Sequence, residues 1–304
     1  MRHSEGRERV LLLPLSFGPC SISLLYVLSQ HLKGQAERTG RTGFKLHILH
    51  VEKPGLDSSL LHEVKERFPE YHFSTVALSE VLSQDGIQEL LHQYSGRKPG
   101  LESERQEDTQ AQLEDIISNL ASLTSRDDVT NILLQKVVVH FAKLHGCEAV
   151  LWGDSTTRLA ERTLAETAKG RGSALPWLVA DGDALHGVPF YYPMRDLLTK
   201  EIASFASLVD PPLDGLINRE AVKPAVSTRN TTIDDLMKQY FESVEQEYPS
   251  IVANVVKTTS KLQTTPLSQV EKQCELCDVP LTARAPDRSR LCYGCIRTLP
   301  ATSS

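Results

Sequence analysis

The 304-residue chain predicts an α/β fold: a doubly wound, mainly parallel sheet followed by a small four-cysteine module. Three observations point there. Short apolar runs alternate with amphipathic stretches, the pattern of parallel strands joined by crossover helices. Polar loops stand at three strand-to-helix junctions. Cys274, Cys277, Cys292 and Cys295 follow the spacing Cys-x2-Cys-x14-Cys-x2-Cys.

In chain order, residues 9–15 read as a buried strand, and Leu24–Leu32 as a helix behind a Ser/Gly/Pro turn. Phe44–Val51 alternates as a strand, Leu60–Phe68 is helical and His72–Leu78 is a third strand. Val129–Leu144 is a strongly apolar helix and Glu148–Trp152 a strand; Leu159–Ala168 is a helix capped by Ser155 or Thr156. Val188–Tyr192 is a strand with a helix over Lys200–Leu208 behind it. Residues 95–128 are polar apart from Leu113–Leu123 and read as a partly disordered insertion with one short helix. Asp127-Asp128 reads as a helix N-terminal cap rather than a paired carboxylate site. Thr231–Tyr248 is helical, with Thr231 and Asp234 in a capping-box relation, and Ser250–Leu262 is a second helix. The expected organisation is a sheet domain over 1–215, a helical extension over 216–263, and a linker with the cysteine module over 264–304.

Composition bounds the function. Hydrophobic residues make up 40% and charged residues 24%, which excludes disordered, collagen-like and small disulfide-rich proteins. No apolar run approaches the roughly 20 residues of a membrane helix. Glu5, Glu8 and Gly18-Pro19 break the pattern of a signal peptide, so a cytosolic, soluble protein with no membrane partner is expected. A net charge of −6 argues against a generally basic nucleic-acid coat, though not against one local basic groove.

Three loops carry chemistry-bearing residues. Ser16-Phe17-Gly18-Pro19-Cys20-Ser21 stands where backbone N–H groups and a helix N-terminus can meet an anion; an ordinary turn is the plainer account. Gly153-Asp154-Ser155-Thr156-Thr157-Arg158 opens a helix and is followed by Lys169-Gly170-Arg171-Gly172. Pro193-Met194-Arg195-Asp196 precedes Lys200-Glu201. In a doubly wound sheet such loops converge on one crevice at the C-terminal strand ends. Arg158, Arg162, Lys169, Arg171, Arg195 and Lys200, with Asp154, are candidates to contact RNA or a partner protein. The plainer account pairs Arg158 and Arg195 with Asp154 and Asp196, holding the loops in shape.

The cysteine spacing suits a tetrahedral four-thiolate zinc ribbon, with a redox pair or fortuitous spacing as the alternatives. Arg284, Arg288, Arg290 and Arg297 make that segment locally basic, as RNA contact or as solvated surface. Cys147 reads as a buried, inert thiol, and Cys20 has no nearby histidine to activate it. Among the histidines, His47 and His50 face opposite sides of one strand and His140 and His145 do not share a helix face. His62 and His72 are read as isolated, so no second metal site is expected.

Ser16-x-Gly18-x-x-Ser21 resembles the PP-loop of ATP-pyrophosphatase-type tRNA-modifying enzymes, an adenine nucleotide alpha hydrolase-like fold. Gly153-Asp154-Ser155-x-Thr157-Arg158-Leu159-Ala160, Gly170-Arg171-Gly172, Pro193-Met194-Arg195-Asp196, Lys200-Glu201 and the terminal cysteines together resemble the cytoplasmic tRNA 2-thiolation protein 2 family. The likeness spans roughly residues 9–296 and is weakest over 95–128. Family members tend to carry a cysteine-rich segment ahead of the first strand, so a truncated or divergent amino terminus is expected here.

The resemblance implies a role in 2-thiolation of the wobble uridine (U34) of cytosolic tRNAs. It also implies a heterodimer with a catalytic partner, tRNA 2-thiolation protein 1, with sulfur arriving from a thiocarboxylated ubiquitin-like carrier. The catalytic pattern is not kept. Phe17 replaces a glycine, Pro19 removes a backbone donor, and Cys20 stands where the carboxylate belongs. Arg158 stands near the place of the second loop's acid. No cysteine lies in 118–135 or 205–225, where the catalytic branch carries its reactive thiols. The expectation is therefore a non-catalytic, zinc-bearing subunit with a vestigial phosphate loop of Ser16, Gly18, Cys20 and Ser21, and with ATP binding doubtful. Two rivals are an active ATP-dependent tRNA sulfurtransferase and a protein-interaction scaffold that never touches RNA.

Overall fold

The computed structural model describes residues 9–53, 59–94, 109–182, 184–218, 231–263, 266, 269–281 and 289–299. It divides into two compact units that interleave along the chain. The first holds Met1–Val76, Val138–Thr156 and Asp181–Ala221; the second holds Ala77–Val137, Thr157–Ala180 and Val222–Ser304.

The first unit is built on a five-stranded sheet of order β3-β2-β1-β4-β5. Its strands are β1 (Val10–Pro14), β2 (Lys45–Glu52), β3 (His72–Ala77), β4 (Ala149–Leu151) and β5 (Phe190–Tyr191). β1 is central. It pairs in parallel with β2, Leu12 opposite His47, and with β4, Leu12 opposite Val150; β4 pairs in parallel with β5. Leu12 and Leu13 have no exposed surface, which is why β1 reads as a continuous apolar run rather than an alternation. Helix α1 (Pro19–Thr39) begins with Pro19 at its first turn and ends at Gly40, whose φ of 70° makes the left-handed stop that favours glycine. Helices α2 (Ser59–Arg67) and α8 (Thr199–Leu208) also belong to this unit, and α1 packs on α8 through Tyr26 and Phe205. The strand order turns back between β1 and β4, so the crevice for a ligand lies beyond the C-terminal ends of those two strands.

The second unit is helical. It holds a 3-10 turn (Leu78–Ser83), α3 (Ile87–Tyr94), α4 (Thr109–Ser118), α7 (Leu175–Leu178), α9 (Ile233–Glu247), α10 (Pro249–Thr259) and α11 (Tyr293–Thr298). It also holds most of α5 (Leu123–Leu144) and of α6 (Thr156–Ala168).

Four readings are corrected. The 3-10 turn and α3 carry no label in the sequence reading, yet Leu78, Val81, Leu90 and Leu91 are buried there. The described part of the expected insertion is largely helical, with Leu113, Ile116 and Leu120 buried; residues 95–108 lie outside the described residues. The capping box of α9 is one residue later than expected: Thr232 accepts from the Asp235 backbone and Asp235 accepts from the Thr232 backbone. Asp127 and Asp128 do not cap a helix. The Ser122 hydroxyl accepts from the Ser125 backbone at the head of α5, so both acids lie inside that helix.

Candidate functional site

The three polar loops meet in the first unit. Gly153 lies against the first loop so closely that a Cβ there would stand 3.0 Å from both the Cα and the backbone nitrogen of Ser21. Ser155 Oγ hydrogen-bonds Thr199 Oγ1 at 2.7 Å, and Thr156 donates from its backbone to the Leu197 carbonyl and from its hydroxyl to the Arg195 carbonyl. The glycine and the small hydroxyl residues are thus the sequence's means of closing three loops on one point.

The loop at 16–21 runs from β1 into α1. Ser16 and Ser21 hydroxyls lie 3.2 Å apart, bonding each other, and Ser21 also reaches the Gly18 carbonyl. Phe17 has a φ of 58°, the left-handed region a non-glycine residue rarely enters. Its ring is buried, 4.6 Å from that of His50, and its carbonyl accepts from the Asn218 backbone at 2.9 Å. Burial of Phe17 compensates the strained φ, and Pro19 offers no N–H at the start of α1. No acidic residue stands in the first turn of α1.

The cationic candidates divide between the units. Asp154, Arg195 and Lys200 are in the first, with the phosphate loop; Arg158, Arg162, Lys169 and Arg171 are in the second. Arg195 pairs with Asp181 rather than Asp196, and Asp181 also accepts from the Tyr192 backbone. Arg158 pairs with Glu161 at 3.0 Å, and its side chain is 48% exposed. Burial pushes the Glu161 carboxyl up despite Arg158 beside it. Arg162 donates to Gln135.

Lys169 and Arg171 do not form an open basic face. They are 7% and 3% exposed and sit in a buried network with Asp128, Glu166 and Asp234. Asp128 takes Arg171, Lys169 at 3.0 Å and the Thr298 hydroxyl at 3.0 Å. Burial alone would raise the Glu166 pKa, but Arg171 and then Lys169 overcome it and hold the carboxyl down to about 2. The same carboxylates hold both cations charged against the cost of burial.

This network was not legible in the sequence. Its acids are far apart along the chain, Asp128 on α5, Glu166 on α6 and Asp234 on α9, and meet Lys169 and Arg171 only in the fold.

The four cysteines come together in the second unit. Cys274, Cys277, Cys292 and Cys295 are buried, and their sulfurs lie within 4.8 Å of one another. The first knuckle turns at Asp278, with φ of 60° and its N–H donating to the Cys274 carbonyl. Lys136 on α5 fixes the Asp278 carboxylate at 2.7 Å. Backbone bonds from Cys274 to Val279 and from Leu281 to Lys272 close a hairpin around the knuckle. In the second knuckle Cys292 caps α11, its sulfur accepting from the Cys295 backbone at 3.4 Å. Arg284 and Arg288 lie outside the described residues.

Bonds of about 2.3 Å from one ion to four sulfurs give sulfur–sulfur edges of about 3.8 Å; Cys277 and Cys292 stand 3.6 Å apart. Contacts from Cys277 and the other two pull the Cys274 thiol down, and contacts from Cys274 push Cys277 and Cys295 up. Four thiols so close share their protons unevenly, and a cation replacing those protons relieves the conflict. Among the described residues this is the one group of at least three candidate ligands that could hold a metal ion. Of the remaining cysteines, Cys147 is buried, which pushes its thiol up, and Cys20 is half-buried.

His72 is not isolated: its ring lies 4.4 Å from that of His47, which also meets His145 and Phe141. Burial first, then His72 and His145, lower the His47 pKa to about 4.

Comparison with known proteins places this geometry in context. The family model of cytoplasmic tRNA 2-thiolation protein 2 matches residues 232–290. A protein of that name from Phaeosphaeria nodorum is 42% identical over 98% of this chain and 83% of its own length. Another, from Sclerotinia sclerotiorum, is 43% identical over 84% of this chain and 69% of its own. Among solved structures, the U34-tRNA thiolase NcsA from Methanococcus maripaludis, solved with its 4Fe-4S cluster, aligns with a TM-score of 0.55 at 13% identity. That alignment covers 90% of this chain and 77% of the thiolase, a likeness of fold.

Proposed function

The chain belongs to the cytoplasmic tRNA 2-thiolation protein 2 family, and from that premise we propose that it is the accessory subunit of a cytoplasmic tRNA wobble-uridine thiolase. Its catalytic partner is a PP-loop protein, tRNA 2-thiolation protein 1, which activates the uridine C2 oxygen and receives sulfur from a thiocarboxylated ubiquitin-like carrier. This chain lends the complex a folded surface rather than a reacting group.

The observation that carries this reading is the phosphate loop. It occupies the crevice where a nucleotide's phosphates would lie, yet Phe17 is turned into the core and Pro19 carries no N–H. Pro19 lacks one donor and Cys20 stands where the carboxylate belongs; two such losses, at about 1.5–3 kcal/mol each, weaken nucleotide binding by roughly two to four powers of ten. The half-buried Cys20 and the buried Cys147, its thiol pushed up, support the same conclusion for sulfur transfer.

The four cysteines hold a structural zinc ion in this reading. Zinc suits four buried thiolates with no open position, and the sulfurs stand close enough for a single ion rather than a four-iron cube. When bound, the ion supplies folding energy to the module rather than a Lewis acid to the reaction.

RNA contact falls to the cations that remain outside the buried network: Arg158, Arg162, Arg195 and Lys200. Arg158 is the most informative of them, because its side chain is 48% exposed. Crosslinking of the assembled complex to tRNA should lose intensity in Arg158→Ala. Unchanged crosslinking in a variant of unchanged stability favours the scaffold without RNA contact. The proposed role as a whole is tested by co-expression with the catalytic partner and mass spectrometry of wobble uridines. 2-Thiouridine should require both chains, and full thiolation by the partner alone would overturn the reading.

A further inference from the structure

We propose that Arg171 is a positioning residue of the four-cysteine metal site, set between the sulfurs and two buried carboxylates. The proposal rests on reading that cluster as a divalent metal centre.

Arg171 lies just beyond the C-terminal end of α6, and its guanidinium is almost wholly buried. Nε donates to Glu166 and one terminal nitrogen to Asp128. The other, Nη1, points at the cysteine cluster and donates to Cys295 Sγ at 3.9 Å. Three directions of one planar fork are thus in use, which a lysine cannot reproduce. Gly294 makes the approach possible: a Cβ there would stand 2.7 Å from Arg171 Cγ and 3.0 Å from the Lys169 carbonyl. The neighbouring Gly170, with φ of 93°, is likewise pressed against Tyr293. The Thr298 hydroxyl, one turn beyond Cys295 on α11, anchors to the same Asp128.

Four thiolates around a divalent ion carry a net charge of about −2 in a site shielded from water. Asp128 and Glu166 bring two further negative charges to the same interior. Without a cation between them, the carboxylates and the sulfurs would repel at low dielectric. Arg171 answers both sides. With Lys169 it neutralises the carboxylates, and it alone hydrogen-bonds a ligand sulfur among the cations of that network, which draws electron density from that thiolate and makes it a poorer nucleophile. The outcome is a metal site that is tightly held and chemically quiet. Partners of this kind typically account for 10–100-fold in metal affinity.

The test uses the full chain with cobalt(II) as the probe, because its sulfur-to-metal absorption reports on the thiolates directly. Three variants are compared with the natural chain: Arg171→Lys, Arg171→Met, and Arg171→Met combined with Asp128→Asn and Glu166→Gln. The triple variant removes Arg171 together with the two carboxylates it pairs, so that neither is left facing the sulfurs without it. Arg171→Met is expected to bind cobalt at least about ten-fold more weakly, with Arg171→Lys between it and the natural chain. In the metal-loaded triple variant the sulfur-to-cobalt band should move to lower energy, and iodoacetamide should alkylate Cys295 several-fold faster. A residue that only fills space would move neither reading. Natural chain that takes up neither cobalt nor zinc overturns the metal reading and this proposal with it. Natural chain that loads normally, beside variants with the same affinity, band position and alkylation rate, overturns the role of Arg171 alone.

Discussion

The loop at 16–21 in the first unit and the cysteine cluster of the second offer a ligand very different things. The loop follows β1 at the point where the strand order turns back, closes on Gly153 and buries the Phe17 side chain. The cluster keeps its atoms, with four sulfurs within 4.8 Å and a glycine reserved for the arginine beside them. A crevice is fixed by the sheet and survives when its chemistry goes, because the loops still have to pack. Four buried thiols in tetrahedral reach are a ligand set that could hold a metal ion.

The comparison predicts effects of very different size. Cys292→Ser breaks both the ligand set and the cap of α11, and metal binding supplies much of the folding energy of a module this small. The loss is expected to reach several kcal/mol. Hydrogen exchange should quicken beyond 269–299, in 123–137 and 157–171, because Thr298 and Arg171 tie the module to Asp128. Exchange that quickens in the last thirty or so residues alone would separate the cluster from the buried network.

Acid sharpens the same contrast. Glu166 is held at about 2 against an ordinary 4.5, so its contribution is fully present above pH 4.5 and is lost as pH falls through about 2. The difference is on the order of 3 kcal/mol. Glu166→Gln should flatten the dependence of stability on pH in that window, measured by urea unfolding.

The tight glycines come next. Gly153→Ala drives a methyl into the backbone of Ser21 and should cost about 1–3 kcal/mol, whereas Gly294→Ala meets both the Arg171 side chain and the Lys169 carbonyl and should also weaken metal retention. Thermal melting with and without chelator distinguishes them: chelator sensitivity should grow in Gly294→Ala and stay unchanged in Gly153→Ala. The smallest signal belongs to the loop itself, where calorimetry of the isolated chain with ATP should show no binding in the micromolar range.

How much of this was legible in the sequence follows from the physics of each part. Buried parallel strands announce themselves as apolar runs, and Leu11–Leu13 and Ala149–Leu151 are such runs. The four cysteines are legible because metal ligands need fixed spacing within each knuckle. The 3-10 turn and α3 were missed because each spans only about two turns, too short for a period to show. Asp128 was misread because the cap of α5 is Ser122, farther upstream than the acidic pair that drew the eye. Lys169 and Arg171 looked like surface cations because sequence lists charges without their partners, and Asp128 and Asp234 lie far from them along the chain. Loop convergence, by contrast, followed from topology alone.

The central claim is that this chain contributes surface and not phosphate chemistry. Ser16→Ala with Ser21→Ala tests it most directly, because both partners of the hydroxyl pair go together and the one further bond lost is from Ser21 to the Gly18 carbonyl among those described. The double variant, co-expressed with the proposed catalytic partner, is assayed by mass spectrometry of wobble uridines. The account predicts 2-thiouridine at the level of the natural chain. Loss of thiolation in a double variant that melts at the natural temperature and still assembles with its partner would contradict it, and would return the loop to the chemistry.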